Sequence, residues 1–428
     1  MRPFRLLQFL LICLLSFSIF TGCTRKAGKP NVVLLVIDTL RADYLPMYGG
    51  KETVAPFLEK LSSGGALFSN SFSASSWTAP STASILTSLF PIQHGILMGR
   101  RATKKLATKD PKILLNKLPQ SVTTIAEVMK ANGFATYGAV DNGNLRADSG
   151  FAQGFDKFVT YLSQGGKNLN KQIQDWAPEI KKSGRYFLYM QYMDPHHPYE
   201  EHKPWFKGDN LHGLRRFEEA YRSEISFTDS MIKELYELMG WGSNTIVLIT
   251  SDHGEEFGDH GSGGHGRTLY GELVRVPLII YYPDGGFSGK VVSEYVSSVD
   301  IVPTLASLAG INLTTPHEGI NLVPVIKGEK SLTGREIYNH LWKRQKAGTV
   351  LELKGLAKDK KRLIESNKKG KKLFFDIEND RHERKNIANK NTELVTEYSQ
   401  RIAKFETGLK TYDREWMPVP LDEEEGDD

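Results

Sequence analysis

The sequence predicts a doubly wound α/β protein, and three observations predict it: apolar runs rich in β-branched residues, helical periodicity between them, and carboxylates that close three of the runs. Asn31 to Asp38 reads NVVLLVID, a continuous apolar run that suits a strand buried on both faces of a mostly parallel sheet. Runs of the same kind occupy Arg185 to Asp194, Thr245 to Asp252 and Val276 to Tyr282. Helical patterns lie between them. In Ser121 to Gly133, the residues Val122, Ile125, Ala126, Val128 and Met129 share one face and Gly133 closes the helix. Strand alternating with helix is the pattern of a layered α/β sheet.

The first residues read as an address label. Arg2 and Arg5 precede an apolar run from Leu6 to Phe20, long enough for a signal-peptide core and short for a membrane-spanning helix. The run ends at Phe20-Thr21-Gly22-Cys23, which resembles a bacterial lipobox. On this reading residues 1–22 are removed, Cys23 is lipidated, and 23–30 is a linker holding the protein to a membrane without a spanning helix. The other cysteine, Cys13, lies in the removed part, so no internal disulfide is expected. An exported lipoprotein of the bacterial cell envelope is the expected location, on the periplasmic face or the outer membrane if the cell is Gram-negative. The formal charge of the whole chain is +5, and its basic residues are scattered rather than gathered in a stripe, which argues against a nucleic-acid partner. The lysine-rich stretch Lys358 to Lys372 reads as a solvated face, and 416–428 as an acidic, disordered tail.

In such sheets ligands bind outside the carboxyl ends of the strands. Asp38, Asp194 and Asp252 each close a strand and could converge on one edge, although a strand-ending aspartate also suits capping a following turn or helix. Five of the 11 histidines fall in two short stretches, His196 and His197 after Asp194, and His253, His260 and His265 in the Gly-rich segment after Asp252. Clustered Asp and His would bind a divalent cation. Oxygen ligands suit Ca, Mg or Mn, and added imidazoles move the preference toward Zn or Mn.

The ordered set NVVLLVIDTLRADYL (31–45), TAPSTASILTS (78–88) with Pro91 and His94-Gly95, GFAQGFD (150–156), DPHHPY (194–199), SDHGEEFGDHG (251–261), HGRTLYGELVRVPLII (265–280) and FFDIENDRHERKNIA (374–388) resembles the sulfatase branch of the alkaline phosphatase superfamily. The resemblance spans most of the chain. It implies a large, mostly parallel central sheet flanked by helices at 31–334 and a smaller C-terminal α+β subdomain at 335–415. It also implies a hydrolase that needs a divalent metal cation and acts on an anionic ester, a sulfated or phosphorylated glycan or lipid. Residue by residue, Asp38, Asp252 and His253 resemble the family's metal ligands, with the Thr78 oxygen completing the near shell. His196 matches a histidine that contacts the substrate anion or leaving group, and His265 a position where lysine or histidine faces the substrate. In two-metal relatives, Asp194, His196 or His265 would instead hold a second cation. Thr39 stands where some members carry a second aspartate, which implies a leaner metal site. Arg41, Asp43, Asp259 and His260 read as scaffolding.

Thr78 departs from the family's usual pattern. There a cysteine or serine, oxidised to formylglycine, opens Cys-x-Pro-Ser-Arg; here the stretch is Thr78-Ala79-Pro80-Ser81-Thr82. Threonine cannot be oxidised to formylglycine, and it is a nucleophile elsewhere in the superfamily. It also suits a helix N-cap. The expected activity is hydrolysis of a phosphodiester or phosphonate ester by Thr78, with His196 or His265 protonating the leaving group. The alternatives are a sulfuric ester hydrolase, a phosphoglycerol- or phosphoethanolamine-type transferase, and an inactive lipoprotein that binds anionic glycans.

Overall fold

The computed structural model describes residues 29–345 and 348–420. The signal segment, Cys23 and the acidic residues 421–428 lie outside the described residues. Among those described, no helix is long and apolar enough to cross a membrane.

The central sheet has eight strands: β1 (Asn31–Ile37), β2 (Ala66–Phe72), β3 (Ala135–Val140), β4 (Lys157–Thr160), β5 (Tyr186–Tyr192), β6 (Thr245–Ser251), β7 (Leu278–Tyr281) and β8 (Lys290–Ser297). Their spatial order is β8-β2-β7-β6-β1-β5-β3-β4, and only β7 runs against the rest. The sheet is therefore mostly parallel, as the apolar runs predict. β1 lies at its centre, in register with β5 (Val36 opposite Gln191) and β6 (Ile37 opposite Ser251). Successive side chains point to opposite faces of a strand. Val32, Leu34 and Val36 accordingly join one core with Ala79, Ala83 and Ile125, while Val33, Leu35 and Ile37 join another with Leu58, Leu169 and Ile232. Each of the buried Val, Leu and Ile side chains among these contributes about 1.5–3 kcal/mol. The continuous apolar pattern follows from this double coverage.

The first face is covered by α2 (Thr78–Thr87), α4 (Ile125–Ala131) and α7 (Ile301–Leu308), the second by α1 (Pro56–Ser63), α5 (Gly166–Lys182) and α6 (Leu214–Met239); α3 (Arg100–Ala107) lies at the side of the molecule on a basic stretch. The helix expected from Ser121 begins four residues later, at Ile125. Thr124 caps it, accepting from Glu127 N at 3.2 Å while Glu127 Oε2 accepts from Thr124 N at 2.8 Å, a capping box that fixes the start.

Toward the C-terminus β9 (Ile337–Arg344), β10 (Val350–Lys358), β11 (Lys361–Ser366) and β12 (Lys372–Asp376) form an antiparallel sheet backed by α8 (Thr392–Gly408). β9 sits over the segment between β2 and α2, and His340 N donates to Ala74 O at 2.9 Å. A fully buried pair, Arg362 Nη1 and Glu383 Oε1 at 2.7 Å, ties this sheet to the loop after His265, because Glu383 Oε2 also accepts from Gly271 N at 2.9 Å. The lysine-rich stretch is partly neutralised in place, by Lys361 with Asp376 at 2.9 Å and by the pair Lys360 and Glu378. Residues 416 and 417, expected in the tail, are instead part of a strand, since Glu415–Met417 pairs antiparallel with Leu115–Lys117. Trp416 gives that segment something to pack.

Candidate active site

Strand order places the carboxyl ends of β1, β5 and β6 side by side, and the residues that follow them build the site. Asp38, Asp252 and His253 are fully buried there, each offering a ligand atom within 4.8 Å of the others. His253 Nε2 lies 3.7 Å from Asp38 Oδ1 and 3.7 Å from Asp252 Oδ2. Thr78 joins them from the first turn of α2, with Oγ1 at 3.1 Å from His253 Nε2. The N-cap position belongs to Trp77, and the Thr78 hydroxyl faces the site instead of capping the helix. His253 Nδ1 lies 2.9 Å from Gly254 O, which fixes the tautomer: Nδ1 carries the proton and the Nε2 lone pair faces Thr78.

The electrostatics of the cluster call for a cation. Burial raises Asp252 to about 7, and burial together with the Asp252 charge raises Asp38 to about 6. Burial lowers His253 to about 4, keeping its ring neutral and able to donate a lone pair. Asp38 Oδ1 has no hydrogen-bond partner although it is buried. Two buried carboxylates with an open oxygen beside a neutral imidazole are a donor set that fits a divalent metal. Asp38, Asp252, His253 and the Thr78 hydroxyl are the residues that would hold it.

Several residues with no motif of their own complete the site. Gln191, on β5, donates Nε2 to Asp252 Oδ2 at 3.2 Å and to Asp38 Oδ2 at 3.4 Å. Its Oε1 accepts from Tyr189 Oη at 2.6 Å and Thr82 Oγ1 at 3.2 Å, so the amide is held one way round. Asn142 Nδ2 donates to Asp38 Oδ2 at 2.8 Å. A glutamine inside an otherwise apolar strand is the signal that could have found Gln191, because a buried amide needs partners.

Three imidazoles line up beside the cluster. The ring centroids of His253 and His265 are 4.5 Å apart, and those of His265 and His196 are 5.0 Å apart. His265 Nδ1 pairs with Glu255 Oε1 at 3.2 Å, and Glu255 Oε2 accepts from Tyr199 Oη at 3.0 Å. Burial alone would raise Glu255, but the adjacent His265 outweighs it and holds the carboxylate at about 2. A cavity of about 370 Å³ opens beside His196, lined by Asp194, His202, Glu224 and Phe227 among others.

Asp194 shares the edge but not the cluster. Its Oδ1 accepts from Gly166 N at 2.9 Å, at the start of α5, so the expected convergence of three aspartates is a convergence of two. Thr39 occupies the second-aspartate position in left-handed backbone (φ 56°), with its hydroxyl donating to Pro195 O at 2.8 Å, away from the cluster. Arg41 pairs with Asp43 and Asp259, both at 2.8 Å, and His260 Nδ1 pairs with Glu272 Oε1 at 2.7 Å, so all four are engaged in ion pairs outside the Asp38–Asp252–His253 cluster.

Comparison with known proteins decides the family. The Sulfatase family model matches residues 30–311, and the model of the N-sulphoglucosamine sulphohydrolase C-terminal region matches 258–408. The chain belongs to the sulfatase family. Among its relatives, N-acetylgalactosamine-6-sulfatase of Homo sapiens is 27% identical over 358 residues, covering 71% of this chain and 67% of that protein. The arylsulfatase of Clostridium perfringens is 25% identical over 457 residues, covering 87% and 92%. Two solved structures share the fold: a putative sulfatase from Bacteroides thetaiotaomicron (TM-score 0.73, 18% identity, 93% and 97% covered) and the phosphonate monoester hydrolase of Agrobacterium radiobacter (TM-score 0.70, 17% identity, 88% and 95% covered). As a sulfatase-family member the protein is an ester hydrolase, and enzymes of the family are metal dependent.

Proposed function

We propose that this sulfatase-family protein hydrolyses phosphodiester or phosphonate esters with Thr78 as the nucleophile. The observation that carries the reading is the buried Thr78 hydroxyl, 3.1 Å from the His253 Nε2 lone pair and next to Asp38 and Asp252. Its position in the first turn of α2 adds the positive end of the helix dipole to the place where an ester anion would sit.

When bound, a divalent cation lowers the hydroxyl pKa and neutralises charge on the ester. Thr78 Oγ attacks phosphorus in line, its proton passes to solvent water, and the bond to the alcohol oxygen breaks. His265, oriented by Glu255, or His196 gives the departing alkoxide its proton. Water then attacks the threonine ester at phosphorus, releasing the acid and restoring the Thr78 hydroxyl. A hydrated formylglycine sheds its ester by collapsing to an aldehyde, a route closed to threonine; attack at phosphorus is therefore the exit that Thr78 allows. The cavity beside His196 is placed to take the alcohol portion.

A second reading, sulfuric ester hydrolysis by the same residues, is favoured by the relatives, several of which are named as sulfatases of glycans or sterols. The protein is further proposed to act from a lipid anchor at Cys23, facing the cell envelope. One experiment tests the reaction: turnover of an aryl phosphodiester, an aryl phosphonate monoester and an aryl sulfate by the metal-supplemented protein, beside Thr78→Ala. Cleavage of the phosphorus esters that vanishes in the variant is the expected result. Thr78-dependent cleavage of the sulfate alone would replace the first reading with the second, and Thr78-independent cleavage would end both.

A further inference from the structure

A second cavity, of about 250 Å³, lies away from the reaction centre, between α3, β9 and the ribbon formed by Leu115–Lys117 and Glu415–Met417. Trp342 and Trp416 stand in its wall. Lys112, Arg344 and Arg414 surround it, no carboxylate lines it, and none of the three cations forms an ion pair among the described residues. Asn116 adds a buried Nδ2 that has no hydrogen-bond partner. The polar groups offered by the six residues are thus overwhelmingly donors, and they flank two indole faces.

We infer that this cavity is a second binding site, for an anionic sugar unit of a polymeric glycan. Flat aromatic faces cover the apolar face of a pyranose ring, while arginine and lysine hold a sulfate, phosphate or carboxylate on it. Unpaired cations with no acid among them select the sign of the ligand, and the concave shape selects a ring over an extended surface. A membrane surface fits less well. Leu106 of α3 packs inward against the core that holds Trp77, leaving Leu114 and Trp416 as the exposed large apolar groups there.

The cavity also communicates with the reaction centre. Met98 and Trp342 pack in the same cluster as Trp77, the residue before Thr78. On the opposite face of β9 from Trp342, Lys343 lies 4.6 Å from the Trp77 ring centroid and donates to Gly266 O at 3.2 Å, next to His265. Burial, then the charges of Arg267 and Lys105, lower the Lys343 pKa, so two further cations lie near Lys343. A polyanionic chain seated in the cavity would follow this basic path toward Thr78. The inference rests on the proposed reaction only for its effect on turnover; binding stands apart from it.

The test measures binding of sulfated hexasaccharides from heparin, chondroitin sulfate and κ-carrageenan to the full-length Thr78→Ala protein, with Trp416→Ala or Arg414→Glu added. Aryl ester turnover and thermal melting of the same two variants with Thr78 intact serve as controls. The expected result is binding of at least one hexasaccharide with Kd below about 1 mM, weakened roughly tenfold by either variant, with aryl ester turnover unchanged. Absence of binding by all three, or affinity untouched by both variants, overturns the inference. So does inorganic polyphosphate binding as tightly as the best hexasaccharide, since that is charge alone. Trp416-dependent pelleting with phosphatidylglycerol vesicles and unaltered hexasaccharide affinity would reassign the surface to a membrane. Failure of the proposed reaction would appear instead as Thr78-independent turnover, with the binding results intact.

Discussion

Asp252 and Asp194 begin alike, each following an apolar strand at the same edge of the sheet. Asp252 turns its carboxylate toward Asp38 and His253, whereas Asp194 accepts a hydrogen bond from Gly166 N at the start of α5. Burial raises the pKa of both. The difference is what lies opposite. Asp252 meets a second buried carboxylate and a neutral imidazole, an arrangement completed by a cation; Asp194 meets a helix start, whose first N–H donates to Oδ1, while its buried Oδ2 has no hydrogen-bond partner. Position at a strand end sets the edge, and the neighbours set the role.

The comparison breaks most sharply by substitution. Asp252→Asn is expected to lower kcat by roughly 10³-fold or more and to remove bound metal, measured by turnover and elemental analysis, because one of two anionic ligands is gone. Thr78→Ala should lose activity to a similar extent, on the order of 10³-fold, while keeping measurable metal, because Asp38, Asp252 and His253 remain to hold it. Gln191→Ala and Asn142→Ala come next. Both hold ligand carboxylates from behind, so metal affinity should fall about 10–100-fold by chelator competition.

A pH series sharpens the same contrast. The metal-free protein has Asp38 raised to about 6 and Asp252 to about 7, so below those values protons occupy the ligand oxygens. Metal must then displace them, and its affinity should fall as pH drops from about 7 toward 5 and level off above about 8. A flat profile in chelator-buffered titrations would show that the two carboxylates do not bind together. The smallest effect belongs to Asp194. Asp194→Ala should cost about 1 kcal/mol of stability, read by denaturant unfolding, with bound metal unchanged by elemental analysis.

The apolar runs and the pattern from Asp38 to His265 made the sheet and the six proposed site residues legible, because strand burial and short-range motifs leave local marks in a sequence. Asn142 and Glu255 left none that could be read alone, and Gln191 left only its amide inside an apolar strand. Each acts through a partner far away in the chain, as Asn142 does on Asp38 and Gln191 on Asp252. The ribbon at Glu415–Met417 escaped notice for the same reason, since its partner strand lies near residue 116.

By itself, then, the sequence determined the layered α/β architecture, the edge at which chemistry gathers, and a threonine that opens the stretch Thr78-Ala79-Pro80-Ser81-Thr82. Tertiary structure alone decided that two of the three strand-ending aspartates share a pocket, that Thr78 faces His253 rather than capping its helix, and that a basic, tryptophan-walled cavity lies away from the site. The physical reason is that backbone propensity and apolar period act over a few residues, whereas a carboxylate's role depends on charges and dipoles brought near it by packing of distant strands.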